Sequence, residues 1–463
     1  MTTLTATATP AGFAGQLLPH QLDALVFLQA RPRALCALAT GMGKTATACG
    51  LAAWMLDTGQ LHAESDSPAV VYLTDAPLLE QTAAEVRRFL PGVAAATTKE
   101  TRYCDTKPSA KAVQALRERQ GRAPLVVVGT YAWLLNRLES TAAAWRPALV
   151  ILDEVTAVSG GGPMQRASRE LAARAQRVLG LSATPYQSDP MQSFSVLETI
   201  GTPGLWARAQ FASQFVTWSE RYEVTPGCWV EPRPESFASP AHQEAFRAHL
   251  HALMYRVLPE ETGQKLPELT RSYVWVPLHP LQRTAYEHAA ARSGAPGAKA
   301  REVAGRHAGA VSSLVDELVA QLTGPYAGRQ AVVFCESLEV LPLAAAALEK
   351  VGISSVTIEG KVPQTQREPA VRAFRDGHVQ VLLGSRVLER GLNLQCANLL
   401  ISLDSSWTED REVQREGRIH RIGSLHEIAE HLVLLPDTPL SREKLHRVRL
   451  RGHVARSILS TRT

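Results

Sequence analysis

A glycine-rich loop near the N-terminus has the residue types that hold a nucleotide phosphate. Residues 39–45 read Ala-Thr-Gly-Met-Gly-Lys-Thr and follow the apolar run Ala34–Leu38. Backbone N–H groups of such a loop cradle phosphates, while Lys44 can reach the terminal phosphates and the Thr45 hydroxyl can bind Mg²⁺. The strict motif opens with Gly or Ala where Leu38 stands, so a plain turn with a surface lysine is the alternative. The nucleotide-binding residues predicted in this loop are Thr40, Gly41, Met42, Gly43, Lys44 and Thr45.

Two adjacent carboxylates follow a predicted strand downstream of the loop. Asp153 and Glu154 come directly after the apolar run Leu149–Leu152. In a sheet that also carries a phosphate loop, the first acid can position Mg²⁺ and the second can activate a water. Adjacent acids also occur in ordinary solvated loops. Because the phosphate loop precedes them, we predict Asp153 as a metal ligand and both acids as catalytic.

Two arginines stand three residues apart in the segment 414–423, behind Gln414. Phosphoryl transfer needs positive charge at the leaving phosphate, and arginines from a facing domain can supply it. We therefore predict Arg418 and Arg421 as catalytic. If they reach the nucleotide only when two domains close, hydrolysis is coupled to domain motion. The alternative is a surface helix that pairs with acids such as Glu416.

Gln21 ends the sequence Leu18-Pro19-His20-Gln21, which precedes the phosphate loop. A glutamine amide offers one donor and one acceptor, which suits recognition of adenine. The alternative is a buried glutamine that caps a helix.

Composition excludes several classes of protein. The chain has 463 residues, of which 45% are hydrophobic and 20% charged, with no apolar run near the roughly 20 residues that span a bilayer. We expect a flexible tail over residues 1–15, which lack the features of a secretory signal. The six cysteines are scattered, which favours reduced thiols and no zinc site. The expected location is the cytoplasm, in association with the nucleoid, in a prokaryote or phage.

Short apolar runs alternate with longer amphipathic ones in two regions, a pattern typical of parallel sheets covered by helices. The strands predicted in the first region are Val70–Leu73, Leu125–Val128, Leu149–Leu152 and Val178–Leu181. Those predicted in the second are Ala331–Phe334, Ser355–Ile358, Val379–Leu383, Leu399–Leu403 and His431–Leu434. We therefore predict an α/β fold of two tandem RecA-like lobes, at residues 16–204 and 331–435.

The residues between the lobes have a different texture. Their aromatic residues recur at helical spacing, which favours packing in a core over stacking on bases: Trp206, Phe211, Phe215, Trp218 and Tyr222. We predict a helical insertion at 205–275, followed by a junction or linker with a short insertion at 276–330.

Positive charge is concentrated at the C-terminal end. The net charge is +5, and residues 436–463 hold seven Lys and Arg against two Asp and Glu. We predict a basic tail there. Its cations could contact nucleic-acid phosphates or could form a solvated helix face; they are Arg442, Lys444, Arg447, Arg449, Arg451 and Arg456.

Taken in order, these motifs resemble helicase superfamily two, with a DEAD/DEAH-type core, and within it the Swi/Snf-like ATP-dependent DNA translocases. The resemblance covers roughly residues 16–435. Its further pieces in the first lobe are residues 78–81 (Leu-Leu-Glu-Gln), 129–131 (Gly-Thr-Tyr) and 182–185 (Ser-Ala-Thr-Pro). Its later pieces are Leu266-Pro267, 282–286, 332–334, Gly360, Arg367, Phe374, 391–395 (Gly-Leu-Asn-Leu-Gln) and 414–423.

The resemblance implies ATP and Mg²⁺ as ligands, and it implies roles for further residues. Thr184 would couple nucleotide state to DNA. The further residues on the nucleic-acid track or beside the cleft would be Thr130, Ser182, Ser385, Gly391, Asn393 and Gln414. Three positions depart from the family pattern: Val155 and Thr156 replace Ala-His after the acidic pair, and Ala183 replaces Gly.

We therefore expect an ATPase that moves along double-stranded DNA without separating its strands. Its movement would displace or remodel protein bound to the DNA. Protein partners in a larger complex are possible. One alternative is a strand-separating DNA or RNA helicase, and a motor subunit of a defence or restriction complex is compatible with either. Another is an ATP-binding scaffold that does not hydrolyse ATP. No membrane partner is expected.

Overall fold

The computed structural model describes most of the chain. The ranges it describes are 8–61, 67–100, 123–140, 142–186, 189–225, 228–263, 265–290, 294–360, 364–389, 392, 394–404, 406, 409–421 and 424–459. The chain divides into two compact units. The first comprises Met1–Thr217, Pro234–Gln264 and Ser457–Thr463, and the second comprises Trp218–Arg233 and Lys265–Arg456.

The first unit is built on a parallel sheet. Its helices are α1 (Pro19–Gln29), α2 (Lys44–Asp57), α3 (Leu79–Phe89), α4 (Tyr131–Arg137), α5 (Pro163–Arg174) and α6 (Pro190–Ile200). Its strands in this part are β1 (Arg33–Leu38), β2 (Val70–Thr74), β3 (Ala94–Thr97), β4 (Leu125–Thr130), β5 (Leu149–Leu152) and β6 (Arg177–Leu181). They lie in the order β1-β6-β5-β2-β4-β3, and every pair is parallel.

The segment predicted as a helical insertion contains strands as well as helices. It holds α7 (Arg208–Gln214), β7 (Val216–Trp218), β8 (Tyr222–Thr225), β9 (Cys228–Val230), β10 (Pro234–Phe237), α8 (Pro240–Leu253), β11 (Met254–Val257) and β12 (Glu268–Val276). β7 pairs with β10, and β8 pairs with β9. β11 adds a parallel edge strand to β1 in the first unit, and β12 adds one to the sheet of the second unit. The segment therefore extends both sheets.

Four aromatic residues of this segment, Phe211, Phe215, Phe237 and Phe246, are buried together in the first unit. Phe211 and Phe246 are fully buried, and the Phe211 ring lies 4.4 Å from that of Phe194 and 5.0 Å from that of Phe215. Trp206 contacts the same cluster, with its ring centroid 4.6 Å from that of Phe215. The core interpretation is therefore correct for Phe211 and Phe215, whereas Trp218 is 43% exposed and the side chain of Tyr222 lies outside the described residues.

The second unit repeats the parallel α/β plan. Its remaining elements are α9 (Pro280–Ala290), α10 (Gly294–Arg306), α11 (Ser313–Thr323), β13 (Ala331–Phe334), α12 (Val340–Lys350), β14 (Ser355–Ile358), α13 (Gln364–Arg375), β15 (Val381–Gly384), β16 (Leu399–Ser402), α14 (Glu409–Glu416), β17 (Ile428–Pro436) and α15 (Pro439–Leu459). The strand order is β12-β17-β16-β13-β15-β14, all parallel. The segment predicted as a basic tail is thus largely helix.

Both faces of this second sheet are buried. Val333 packs on one side with α11 and α12, while the adjacent Val332 packs on the other with α13. Parallel strands covered by helices on both faces are almost wholly apolar, which is why short apolar runs predict them well. The predicted fold of two tandem RecA-like α/β lobes is confirmed. Among the described residues, no helix is both long enough and apolar enough to cross a membrane.

Candidate nucleotide site and arginine turn

The phosphate loop connects the carboxyl end of β1 to the first residue of α2. Gly41 and Gly43 have φ values of 85° and 80°, in the left-handed region that glycine adopts without strain. Gly43 caps α2 without a side-chain hydrogen bond, and no acidic residue stands in the first helical turn. The N–H groups at this helix end therefore suit an anion. Lys44 Nζ donates to Leu38 O at 3.2 Å, so the lysine lies folded back over the loop.

Two side chains of α1 contact the backbone of the phosphate loop. His20 Nε2 and Gln21 Nε2 each lie 3.1 Å from Met42 O. Gln21 Oε1 accepts from Leu18 N at 2.9 Å, which is a helix-capping arrangement. Both amide atoms of Gln21 are thus bonded to backbone, and adenine recognition by Gln21 stays a prediction.

Asp153 lies at the carboxyl end of β5. Only β6 separates β5 from β1, so Asp153 lies at the same edge of the sheet as the phosphate loop. Its Oδ2 accepts from Thr74 Oγ1 at 3.2 Å, and its Oδ1 accepts from Glu154 N at 3.1 Å. Burial, followed by the charge of Glu154, raises the pKa of the Asp153 carboxyl to about 7, and the nearby Lys44 opposes this rise. A divalent cation at this carboxylate would offset the same cost.

Glu154 has two features that fit a bound group. Its φ of 47° makes it the only non-glycine residue with positive φ in the described part of the chain. One of its oxygens, Oε2, is buried without a hydrogen-bond partner among the described residues. Such strain and such an orphaned acceptor concentrate at functional sites. With Thr45 in the first turn of α2, these residues fit ATP and Mg²⁺.

The described residues contain no cluster of three or more His, Cys, Asp or Glu side chains able to hold a metal. A magnesium site does not require one, because Mg²⁺ usually keeps several waters and takes one or two protein ligands beside the substrate phosphates. Thr45 and Asp153 would be those protein ligands.

A hydroxyl contact links Thr156, two residues after the acidic pair, to the segment that follows β6. Thr156 Oγ1 lies 3.5 Å from Ser182 Oγ, and Ser182 Oγ accepts from Thr184 N at 3.1 Å. Thr184 Oγ1 is buried and lacks a hydrogen-bond partner among the described residues. Thr156, which in sequence is only a departure from the family pattern, thus makes the contact to the Ser182 segment.

Thr130 caps α4, since its Oγ1 accepts from Trp133 N at 3.1 Å. The next residue, Tyr131, is buried, and its hydroxyl donates to Asp153 O at 2.7 Å. The predicted nucleic-acid residue Thr130 is therefore one residue from a direct bond to the acidic pair. Tyr131 belongs to the Gly-Thr-Tyr motif, but no local pattern signals this long-range contact.

In the second unit, both predicted arginine fingers lie on a turn after α14, here called the arginine turn (residues 417–421). Arg418 donates from Nε to Gln414 O and from Nη1 to Leu392 O, each at 3.2 Å. Arg421 Nε donates to Gly417 O at 2.6 Å. Their guanidinium groups are thus ordered by backbone carbonyls of their own unit.

Glu416, the acid that could have paired with these arginines on a surface helix, is in fact buried. It bonds to Arg271 of β12 and His431 of β17. The motifs identify neither of those partners. For His431 the available signal is a histidine next to the apolar run Leu432–Leu435, whereas Arg271 stands among polar residues and has no such signal.

Of the other predicted residues, Ser385 is buried directly after β15, where its carbonyl accepts from Leu388 N at 2.9 Å. Gly391 and Asn393 lie outside the described residues. On α15, Lys444 is buried, with Nζ 3.3 Å from Glu302 Oε1, so it is not a surface cation. The exposed arginines of that helix are Arg442, Arg447, Arg449, Arg451 and Arg456.

Comparison with known proteins adds family evidence. Residues 18–192 match the DEAD/DEAH box helicase domain, and residues 312–423 match the helicase conserved C-terminal domain. The ATP-dependent RNA helicase DHH1 of Debaryomyces hansenii is 35% identical over 96 residues, which are 21% of this chain and 19% of that protein. The ATP-dependent RNA helicase DBP5 of Mycosarcoma maydis is 31% identical over 94 residues, 20% of this chain and 21% of that protein. These matches span about a fifth of each relative.

Among solved structures, the SWI2/SNF2 ATPase core of Sulfolobus solfataricus in complex with dsDNA aligns over 97% of this chain and 94% of that chain. The identity is 16% and the TM-score 0.44, a likeness too low to support an argument about function. The two domain matches contain the phosphate loop, the acidic pair and the arginine turn. The chain therefore contains a segment that matches the DEAD/DEAH box helicase domain and one that matches the helicase conserved C-terminal domain, which together indicate an ATP-hydrolysing enzyme.

Proposed function

We propose that the protein is an ATP-dependent motor that moves along double-stranded DNA without separating the strands and displaces or remodels bound protein. The observation that carries its ATP chemistry is the convergence at one sheet edge of the phosphate loop after β1 and the acidic pair after β5. In parallel α/β sheets this edge, outside the carboxyl ends of the strands, is where ligands bind.

The residues divide the work of hydrolysis. Gly41, Gly43 and Lys44 hold the phosphates, and Thr45 with Asp153 would hold Mg²⁺, which would supply positive charge beside the phosphates. Glu154 accepts the proton of the attacking water, for which its orphaned Oε2 is available. Arg418 and Arg421 stabilise the charge that builds on the leaving phosphate.

Support for DNA as the polymer comes from the sequence of the second lobe. Residues 391–395 and 414–423 have the Swi/Snf-like pattern, which implies movement along a duplex. The exposed arginines of α15 add cations that can contact phosphates irrespective of sequence.

A strand-separating RNA helicase is the second candidate. The observation that favours it is the identity of 31–35% with stretches of proteins named as ATP-dependent RNA helicases. The two candidates share the same ATP chemistry and differ in the polymer that stimulates it, so the polymer is the variable to test.

The test is steady-state ATP hydrolysis by the full chain, alone and with saturating duplex DNA, single-stranded DNA or RNA. We expect selective stimulation by duplex DNA, and losses of at least about 100-fold in Lys44→Ala and Glu154→Gln, because each removes a group that acts on the reacting phosphates or water. A displaced-strand fluorescence assay runs in parallel and should show no unwinding.

Stimulation by RNA together with strand release would replace the motor with the RNA helicase. Hydrolysis that survives in Glu154→Gln would show that this carboxylate is not the base. Failure to hydrolyse ATP with any polymer would point instead to an ATP-binding scaffold.

A further inference from the structure

An ion pair between the partly buried Arg271 and the buried Glu416 joins β12 to the helix that leads into the arginine turn. Arg271 donates two hydrogen bonds to Glu416, from Nε to Oε1 at 2.6 Å and from Nη2 to Oε2 at 2.8 Å. Arg271 Nη1 donates to Glu409 Oε1 at 2.9 Å, at the opposite end of α14. A planar guanidinium is the group that can make this forked contact with a carboxylate. One side chain of β12 thus holds both ends of α14.

A second strand holds Glu416 from the other side. The His431 ring is fully buried in β17, with Nδ1 2.8 Å from Glu416 Oε1 and Nε2 2.9 Å from Ser402 Oγ. Ser402 Oγ also accepts from Arg415 Nη1 at 3.3 Å, and the Arg415 side chain is only 1% exposed. The last two residues of α14 are therefore anchored to β16 and β17 as well as to β12.

The pairing keeps Glu416 charged despite its burial. Burial by itself would raise the pKa of this carboxyl, but the hydrogen bonds from His431 and Arg271 lower it to about 2. A buried charge of this kind persists only where partners satisfy it, and removal of one partner leaves the other charge uncompensated. The network is therefore sensitive to each of its members.

The backbone of the arginine turn is hydrogen-bonded to Glu416 as well. Ile419 N and His420 N both donate to Glu416 O, at 3.0 and 2.8 Å. His420 Nε2 lies 2.9 Å from Pro267 O, the residue before β12, and the Ile419 side chain is buried in the core of the second unit. The arginine turn is thus joined to β12 through the side chain of Glu416 and to the residue before β12 through the side chain of His420.

We infer that Arg271, Glu416 and His431 form a positioning network that holds the arginine turn in the conformation from which Arg418 and Arg421 stabilise the phosphates of ATP. The inference rests on the proposed function of those two arginines. The three residues act through the backbone of the turn and need not touch the nucleotide. A displacement of about 1 Å in such a group can cost on the order of 100-fold in rate.

The experiment compares Arg271→Lys and Glu416→Gln with Arg329→Ala in the full chain. Arg329 is the matched control, because its Nη1 forms a 2.6 Å ion pair with Glu430, the neighbour of His431 in β17, and none of its contacts among the described residues reaches the arginine turn. We expect kcat for ATP to fall at least about tenfold in the first two variants, with KM changed less than about twofold, because only stabilisation of the transition state is removed. Arg329→Ala should keep kcat.

Thermal melting separates positioning from folding. Arg271→Lys keeps the charge but removes the fork, so its melting temperature should stay near that of Arg329→Ala while its kcat falls. If kcat instead follows the melting temperature across all three variants, the network is merely structural and the inference is overturned. If Arg271→Ala folds, it is included in the same comparison of kcat with melting temperature. If it does not fold, Arg271→Lys and Glu416→Gln alone test the inference.

Arg418→Ala and Arg421→Ala distinguish failure of this inference from failure of the proposed function. If both retain wild-type kcat, the arginines do not act in hydrolysis and their proposed role is rejected. If kcat falls in both while Arg271→Lys and Glu416→Gln retain it, the arginines act and the positioning network alone is rejected.

Discussion

At the scale of single residues, the surroundings of Asp153 disfavour the ionised form of its carboxyl when no cation is bound. Burial and the charge of Glu154 raise its pKa from 3.8 to about 7. The folded chain therefore binds this proton more tightly than the unfolded chain does. The resulting stability is fully present below about pH 4 and falls as the pH rises through 7, because ionisation is then easier in the unfolded state.

We predict that Asp153→Asn stabilises the protein at pH 8 in EDTA, by up to a few kcal/mol at about 1.4 kcal/mol per pKa unit. The advantage should shrink as the pH falls from 7 to 4, where the native carboxyl is itself neutral. Urea unfolding of both proteins across pH 4–8 measures this. A difference that does not change with pH would mean that the charge of Asp153 is not what the site opposes.

Sequence patterns identify the residues of local motifs and miss those that reach them from afar. Lys44 and Asp153 stand in short patterns whose chemistry can be deduced directly. Tyr131, Arg271 and His431 contact their partners across 22, 145 and 15 residues of chain, and only the folded sheet edges bring them together. Gln21 is the intermediate case, because its sequence context allows both interpretations and the structure displays the capping contact.

At the scale of elements, the cap of α4 links a fold contact to the proposed nucleic-acid track. Thr130→Ala removes the cap, and Ser239→Ala removes the equivalent cap of α8, where Ser239 Oγ accepts from His242 N at 3.2 Å. Each should cost about 1 kcal/mol of unfolding free energy. Only Thr130→Ala should also weaken stimulation of the ATPase by nucleic acid, measured as the polymer concentration for half-maximal rate. Equal effects in the two variants would leave Thr130 with a capping role alone.

Sequence patterns predict elements best where burial is complete on both faces. β2, β5 and β13 coincide closely with apolar runs and are buried along their whole length. β3 escapes prediction because its sequence, Ala94–Thr97, is mostly alanine, which has little preference for strands. β12, at the edge of its sheet, has four polar residues among its first five, and β11 continues an apolar-periodic run that is typical of a helix. β11 and β12 are edge strands formed by the segment that connects the two lobes. They depend on pairing with a distant strand, which a local sequence pattern does not predict.

At the scale of the whole molecule, positive charge is gathered on one helix that is also part of the core. Leu445 of α15 packs with Val433 and Leu435 of β17, and Tyr273 and Trp275 of β12 pack against the same cluster. Deleting the residues after Pro436 would therefore unpack the second unit as well as remove charge. Substitution of exposed arginines isolates the electrostatic contribution.

We predict that changing Arg447 and Arg451 together to Gln weakens duplex DNA binding and lowers the slope of log K against log salt by up to about 0.9 for each phosphate that α15 no longer neutralises. The control changes Arg87 and Arg88, exposed on α3, to Gln and removes the same net charge elsewhere. Fluorescence anisotropy with a labelled duplex at several salt concentrations gives both slopes. If the two double variants change the affinity and the salt slope equally, the net charge of the protein alone determines DNA binding, and α15 is a solvated face. If only the α15 variant has a lower slope, DNA phosphates lie against this helix.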